Sequence, residues 1–182
     1  MKNLPWIMEK EEKIWIYIPS DYGFKPESNR PFINNMLIPA IKSVDSRIEI
    51  IDPWVIGDKY GADFLKAQKI LDPIKRKNEL HTIDRQIGQR NRFSIDKSSA
   101  LVAICNGIEI DSGVVSEIVY GFSKGKPTLV YRDDFRPIGE NEGVKVNLQF
   151  QYFIEEGKGR FVNSVSQIPF ELKEMLKQTR II

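Results

Sequence analysis

The sequence LVAICNGIEIDSGVVSE, residues 101–117, holds the clearest pattern in the chain. It begins as an uninterrupted apolar run, passes through Asn106-Gly107, and places Asp111 six residues before Glu117. A short apolar run without alternation is typical of a strand buried on both faces, as in a parallel sheet covered by helices. After the loop, apolar residues recur at helical spacing: Val114, Val115, Ile118, Val119 and Phe122. The stretch therefore predicts a buried strand, a polar loop and an amphipathic helix.

Three other short runs share this strand character: KIWIYI (13–18), RIEII (47–51) and TLVY (128–131). Between the runs lie helical patterns. They cover residues 32–44, with a kink or early stop expected at Pro39, and residues 63–96, with an interruption near Asp72-Pro73. Gly125 is expected to cap the helix after residue 113, and a last helix should begin near Pro169.

Strands that alternate with helices require right-handed crossovers in a parallel sheet. We therefore expect an α/β fold: a doubly wound, Rossmann- or flavodoxin-like parallel sheet of about five strands with helices on both faces. The 182 residues, 41% apolar and 29% charged, predict one domain over 1–182. We expect residues 1–12 to form an N-terminal extension of this domain and residues 156–182 to add a C-terminal strand and helix.

The charge and cysteine content exclude several classes of protein. A net charge of +2 gives no field that would favour nucleic acid or a membrane surface as a partner. One cysteine excludes an internal disulfide framework and suits a reducing compartment. The first residues lack the apolar core of a signal peptide, and we expect a cytoplasmic protein.

Ligands of open parallel sheets bind beyond the carboxyl ends of the strands, where the loop at 106–117 is the most polar. If its helix starts near Gly113 or Val114, Glu117 lies in the first turn, where the helix dipole favours an ionised carboxylate. Asp111 would lie in the preceding loop, free to reach a ligand. Two such carboxylates suit covalent glycosyl transfer. The alternative is that Asp111 caps the helix and Glu117 complements its dipole.

Two further polar side chains are expected at the same crevice. Asn91 lies at helical spacing with Ile87 and Ile95, so it should face the sheet and present its amide to a ligand. Its alternative role is that of a core-edge asparagine bonded to backbone. Tyr17 ends the first strand, and its hydroxyl is expected either to reach the crevice or to be the wet tip of a packing residue.

The stretches that hold these residues resemble those of a known family. The stretch SSALVAICNGIEIDSGVVSEIVYGFSKGKPTLVY (98–131) is similar to the signature of nucleoside 2-deoxyribosyltransferases. IYIPSDYGF (16–24) resembles their first strand and loop, and VNLQFQYFI (146–154) their later Asn-Leu segment. The resemblance covers about residues 13–155.

The resemblance implies a role for each matching residue. Glu117 matches the nucleophile that attacks the anomeric carbon, Asp111 the carboxylate that bonds the base and moves its proton, and Tyr17 the hydroxyl that orients the nucleophile. Asn91 matches a position, held by Asp or Asn in the family, that contacts the base. Asn147 matches an asparagine that reaches the sugar in a neighbouring subunit, which implies a homodimer or a higher homo-oligomer.

The first loop departs from the family pattern, since Pro19-Ser20-Asp21 replaces the usual small residues. Ser20 and Asp21 are therefore candidate substrate contacts that bear on base preference. Phe24 is expected to stack on the base or to pack in the core, and Gly113 belongs to the small-residue turn beside the substrate.

The resemblance implies an enzyme of purine and pyrimidine salvage. Such an enzyme moves 2-deoxyribose between nucleobases through a glycosyl-glutamate intermediate. The resemblance implies neither metal nor organic cofactor. The alternative activity is hydrolysis of 2-deoxynucleosides or their 5′-monophosphates by the same glutamate. Arg132 and Arg136 would then meet the phosphate, although they also fit solvated loop charges. A third hypothesis is a nucleoside-binding sensor without activity.

Overall fold

The sheet has five strands, which run parallel throughout. A computed structural model describes residues 12–20 and 30–182, except the side chains of residues 56–59. The strands are β1 (Ile14–Tyr17), β2 (Ile48–Ile51), β3 (Ala100–Ile104), β4 (Thr128–Tyr131) and β5 (Arg160–Val162). Their order is β2-β1-β3-β4-β5, and every neighbouring pair is parallel. This order confirms the predicted doubly wound α/β fold, because the chain reverses its winding direction at β1 and β3.

The helices lie between the strands. They are α1 (Arg30–Phe32), α2 (Ile38–Lys42), α3 (Pro53–Gln68), α4 (Pro73–Lys97), α5 (Ser112–Ser123), α6 (Leu148–Glu156) and α7 (Ile168–Gln178). A π-helical segment, Ile33–Leu37, joins α1 to α2, and a short 3₁₀ turn, Val165–Gln167, precedes α7. Among the described residues, no helix is both long and apolar enough to cross a membrane.

Both faces of the sheet are covered. On one face, side chains of β1, β3 and β4 pack with residues of the first helical region and of α7, including Leu37, Ile41, Leu172 and Leu176. On the other face, α5 and α6 pack on β3 and β4 through residues such as Ile118 and Phe150. All five residues of β3 are buried, which explains why its sequence shows no alternation.

Of the kink or early stop expected at Pro39, the early stop is not found. The chain stays helical through Pro39 to Lys42, and the irregularity lies just before the proline, in the π segment. There the Ile38 N–H bonds to the carbonyl of Ile33, five residues back. Proline lacks an N–H and clashes with the carbonyl four residues before it, and a wider turn at this point relieves both problems.

The helix after β2 begins ten residues before the predicted region at 63–96. Asp52 caps α3 by accepting a hydrogen bond from the Trp54 N–H at 2.9 Å, and Pro53 occupies its first turn. Proline is well suited to this position because its missing N–H would be unpaired there anyway. The predicted interruption at Asp72-Pro73 and the left-handed Gly125 are confirmed, with Asp72 capping α4 and Gly125 at φ 68°.

Candidate functional site

Three elements bring a carboxylate and two donors together at the carboxyl edge of the sheet. Tyr17 is the last residue of β1, Asn91 lies in the second half of α4, and Glu117 lies in α5. The Tyr17 hydroxyl donates to Glu117 Oε1 at 3.0 Å, and Asn91 Nδ2 donates to the same oxygen at 2.8 Å. The structure thus places all three at one point, and the predicted backbone-bonded alternative for Asn91 is not what is found.

The electrostatics of Glu117 are unusual for a glutamate. Burial raises its pKa from 4.5 to about 7, and the negative charge of Asp111 acts in the same direction. The hydrogen bonds from Tyr17 and Asn91 oppose this rise, because they stabilise the ionised form. Burial, the charge of Glu117 and that of Asp52 raise the pKa of Tyr17 far above its usual value. At neutral pH the tyrosine is therefore a phenol that donates to the carboxylate.

Asp111 caps α5, as the simpler interpretation predicted, and is exposed at the site. Its Oδ1 accepts from the Val114 N–H at 3.0 Å. Because the cap starts the helix at Ser112, Glu117 lies in the second turn, and its predicted place in the first turn is wrong. The helix dipole thus has little effect on Glu117, since that effect falls off within the first turn.

Gly113 stands directly beside the capping carboxylate. A Cβ built at this glycine would lie 2.8 Å from Asp111 Oδ1, closer than real Cβ atoms come. Any larger residue would therefore displace the Asp111 side chain or the turn. Its described contact is with Asp111, and its place beside a substrate stays a prediction.

Of the remaining predicted site residues, Ser20 and Asn147 make no hydrogen bond to Glu117 in the described chain. Ser20 is half-buried just beyond β1, while Asp21 and Phe24 lie outside the described residues. Asn147 caps α6 by accepting from the N–H groups of its second and third residues, and its Nδ2 donates to Glu140 at 2.6 Å. Its contact with a neighbouring subunit's sugar stays a prediction.

Sequence reasoning missed an ion pair near this edge. Arg30, at the start of α1, forms a partly buried ion pair of 2.7 Å with Asp52, the residue after β2. The charge of Asp52 is felt at Tyr17, where it contributes to the raised pKa. The Asp-Pro pair after a strand signalled a cap, but nothing in the sequence joined it to an arginine 22 residues earlier.

Arg132 is buried, so its interpretation as a solvated loop charge is wrong. Its guanidinium donates to the carbonyls of Cys105, Gly107 and Arg136, at 2.7, 2.9 and 2.9 Å. Arg136 forms an ion pair with Asp134. Both guanidinium groups are thus engaged within the protein. Among the described residues, no cluster of His, Cys, Asp or Glu is arranged to hold a metal.

Several solved structures share the fold of this chain. Among solved structures, a conserved protein from Enterococcus faecalis V583 is 24% identical with a TM-score of 0.62, covering 89% of this chain and 98% of its own. A 2-deoxyribosyltransferase from Leishmania mexicana is 20% identical with a TM-score of 0.50, covering 78% and 97%. At these identities the likeness shows a shared fold. No curated protein matches in sequence.

A family profile identifies more than the fold that these structures share with the chain. The profile described as nucleoside 2-deoxyribosyltransferase matches residues 16–149, well over half of the chain. The matched region contains Tyr17, Asn91, Asp111 and Glu117, the residues that meet at the carboxyl edge of the sheet. The chain therefore belongs to the nucleoside 2-deoxyribosyltransferase family.

Proposed function

We propose that this protein transfers 2-deoxyribose from one nucleobase to another through a covalent bond to Glu117. The observation that carries the proposal is the fixed carboxylate: Glu117 Oε1 accepts two hydrogen bonds, from the Tyr17 hydroxyl and the Asn91 amide. Within residues 12–20 and 30–182, no donor bonds to its Oε2. One oxygen is thus held while the other is free to meet the anomeric carbon of a sugar.

The first half of the reaction would break the bond between sugar and base. Oε2 of Glu117 attacks the anomeric carbon, and the electron pair of the C–N bond leaves with the base. Asp111, exposed beside the site, gives the departing base a proton. Because positive charge develops on the sugar, a carboxylate shielded from water stabilises the transition state strongly.

The second half reverses these steps with a different base. A ring nitrogen of the acceptor attacks the anomeric carbon, the electron pair of the ester bond returns to Glu117, and Asp111 takes up the proton of the acceptor. Two inversions at the same carbon give net retention of configuration. The donor base leaves before the acceptor reacts, so the kinetics should be ping-pong.

Tyr17 and Asn91 would act by holding the nucleophile. A bond to Oε1 from each of two different elements, β1 and α4, fixes both the position and the rotation of the carboxylate. Such fixing removes conformational freedom that the free side chain would have to lose at each turnover. Their bonds also keep the pKa of Glu117 from rising further, which preserves a useful ionised fraction near pH 7.

Hydrolysis with water in place of the acceptor base is the second candidate, and the engaged arginines limit its nucleotide version. Arg132 directs its donors at three backbone carbonyls, so it does not offer them to a 5′-phosphate. Ser20, at the end of the first strand, remains a candidate contact for such a group. We further propose that Asn147 completes the site of a neighbouring copy in a homo-oligomer, as the family resemblance implies.

The test is a base-exchange assay with and without an acceptor. Deoxyadenosine is incubated with hypoxanthine, and products are separated by chromatography for the wild type, Glu117→Gln and Glu174→Gln. We expect deoxyinosine from the wild type and from Glu174→Gln, whose carboxylate pairs with Lys177 on the same helix. Glu117→Gln should yield none while still binding deoxyadenosine. Exchange by Glu117→Gln at the wild-type rate would contradict the proposal.

A further inference from the structure

Arg132 is a buried cation whose described partners are backbone carbonyls rather than a carboxylate. It follows β4 directly, and its residue is only 7% exposed. Burying an arginine costs free energy unless its N–H donors are hydrogen-bonded. Here Nη1 donates to the carbonyls of Cys105 and Gly107, and Nη2 donates to the carbonyl of Arg136. The three acceptors lie on two loops. These are the β3 loop, residues 105–111, and the β4 loop, residues 132–136.

Two further bonds tie the same loops together. The Gly107 N–H donates to Asp134 Oδ2 at 3.2 Å, and the Asp133 N–H donates to Asn106 Oδ1 at 3.0 Å. Arg136, with a smaller contribution from Arg132, lowers the pKa of Asp134, which therefore stays an acceptor at all working pH values. The β3 loop is thus anchored at residues 105–107 by donors and acceptors of the β4 loop.

The anchored loop ends at the residue that should handle the base. Between the tie at Gly107 and the helix cap at Asp111 lie three residues, of which Ile108 and Glu109 are exposed. Ile110 packs against the core cluster that includes Val114 and Ile118, and the other two residues of this short span are open to solvent. Glu117, by contrast, is held by Tyr17 and Asn91, which come from β1 and α4. The tie should therefore act on Asp111 and leave the nucleophile in place.

We propose that Arg132 is a positioning residue for Asp111, an inference that rests on the proposed base transfer. Without the guanidinium, the β3 loop loses its two bonds to Arg132, at the carbonyls of Cys105 and Gly107, and Asp111 moves relative to the base. An acceptor base must be aligned so that its nitrogen attacks while Asp111 takes its proton. Water also gives up a proton as it attacks, but it is small and can approach in several orientations, so hydrolysis depends less on this alignment. Loss of Arg132 therefore shifts the glycosyl-enzyme from transfer towards hydrolysis.

The test compares Arg132→Met and Arg132→Lys with Arg160→Met. Arg160 begins β5, at the amino end of the strands, where it pairs with Glu171 at 2.7 Å, and so controls for the loss of an arginine. The measured quantity is the ratio of deoxyinosine to free deoxyribose formed from deoxyadenosine and hypoxanthine. A misplaced group costs roughly tenfold to a hundredfold, so we expect this ratio to fall by about tenfold or more in Arg132→Met.

Arg132→Lys should lose part of the ratio, because one ammonium cannot span three carbonyls as a planar guanidinium does. If Arg132→Met does not fold, the product ratio of Arg132→Lys tests the inference. Arg160→Met should keep the wild-type ratio. Unchanged ratios in both folded Arg132 variants would overturn the inference, since general destabilisation lowers the amount of active enzyme but not its product ratio.

A second readout separates failure of the inference from failure of the proposed function. Hydrogen–deuterium exchange of residues 105–114 should be faster in Arg132→Lys than in the wild type or Arg160→Met, because Asp111 caps the Val114 N–H. If the wild type exchanges no bases but this protection is lost, the proposed function fails while the tie stands. If protection is unchanged, the positioning role fails, whatever the activity.

Discussion

Tyr17 and Glu117 are 100 residues apart in sequence, and the tyrosine hydroxyl donates to the glutamate carboxylate at 3.0 Å. The bond forms because β1 and β3 are neighbours in the sheet, and α5 returns from β3 over the same edge. Burial keeps the tyrosine a neutral donor and keeps the glutamate short of full ionisation. The chemistry proposed for the site depends on this balance.

The rate of base exchange should depend on pH through Glu117. A nucleophile must be ionised, and burial raises the pKa of Glu117 to about 7. We therefore expect protonation of Glu117 to lower kcat/KM for deoxyadenosine by about tenfold per pH unit below pH 7. A profile flat from pH 5 to 8 would mean that Glu117 is ionised throughout, as an ordinary exposed glutamate would be.

The same pKa shift predicts a pH-dependent effect on stability. A carboxyl whose folded pKa is raised stabilises the fold below its unfolded pKa of 4.5, and this contribution is lost as pH rises through 7. Glu117→Gln keeps an oxygen acceptor but cannot ionise. Its stability relative to the wild type should grow between pH 5 and pH 8, by about 1 to 3 kcal/mol. Urea unfolding at both pH values measures this, and a difference that does not change with pH would refute it.

Replacing Tyr17 by Phe should shift the pH profile upward. The buried ring is kept, but the hydrogen bond that lowers the pKa of Glu117 is lost, so this pKa rises above 7. At pH 7 the rate should fall roughly tenfold or more, and part of it should return at pH 8 to 9. A lower rate with an unmoved midpoint would show that the hydroxyl acts on the sugar or base rather than on Glu117.

Replacing Asp111 by Asn separates its two roles. Asparagine caps helices as well as aspartate does, so the melting temperature should change little, whereas Asp111→Ala should also lose about 0.5 to 2 kcal/mol of stability. The amide cannot exchange a proton with the base, and transfer should fall by roughly 10² to 10⁴ in both variants. Full activity in Asp111→Asn would leave Asp111 as a helix cap alone.

The sequence predicted what depends on local pattern and on the geometry common to parallel sheets. Unalternating apolar runs located the strands, and the rule that ligands lie at their carboxyl ends selected Tyr17, Asp111 and Glu117. The spacing of Asn91 with Ile87 and Ile95 then placed its amide on the sheet side of α4. Each of these inferences uses only residues that are close in sequence, or the general geometry of a parallel sheet.

The features missed by the sequence are polar pairs between distant segments. Arg132 sits in a charged, proline-containing loop that looks solvated, and its burial depends on carbonyls 25 and 27 residues earlier in the chain. The ion pair between Arg30 and Asp52 likewise joins separate elements. The start of α5 was misplaced by one or two residues, and this error put Glu117 in the first turn, where the dipole argument would have applied.

The most direct test of the account is to find the sugar on the enzyme. Wild-type protein is mixed with deoxyadenosine without an acceptor base, quenched in acid within one turnover, digested, and analysed by mass spectrometry. We predict one 2-deoxyribosyl group on Glu117, absent from Glu117→Gln and lost when hypoxanthine is added before the quench. A sugar bound to another residue, or efficient base exchange with no adduct on Glu117, would contradict the proposed mechanism.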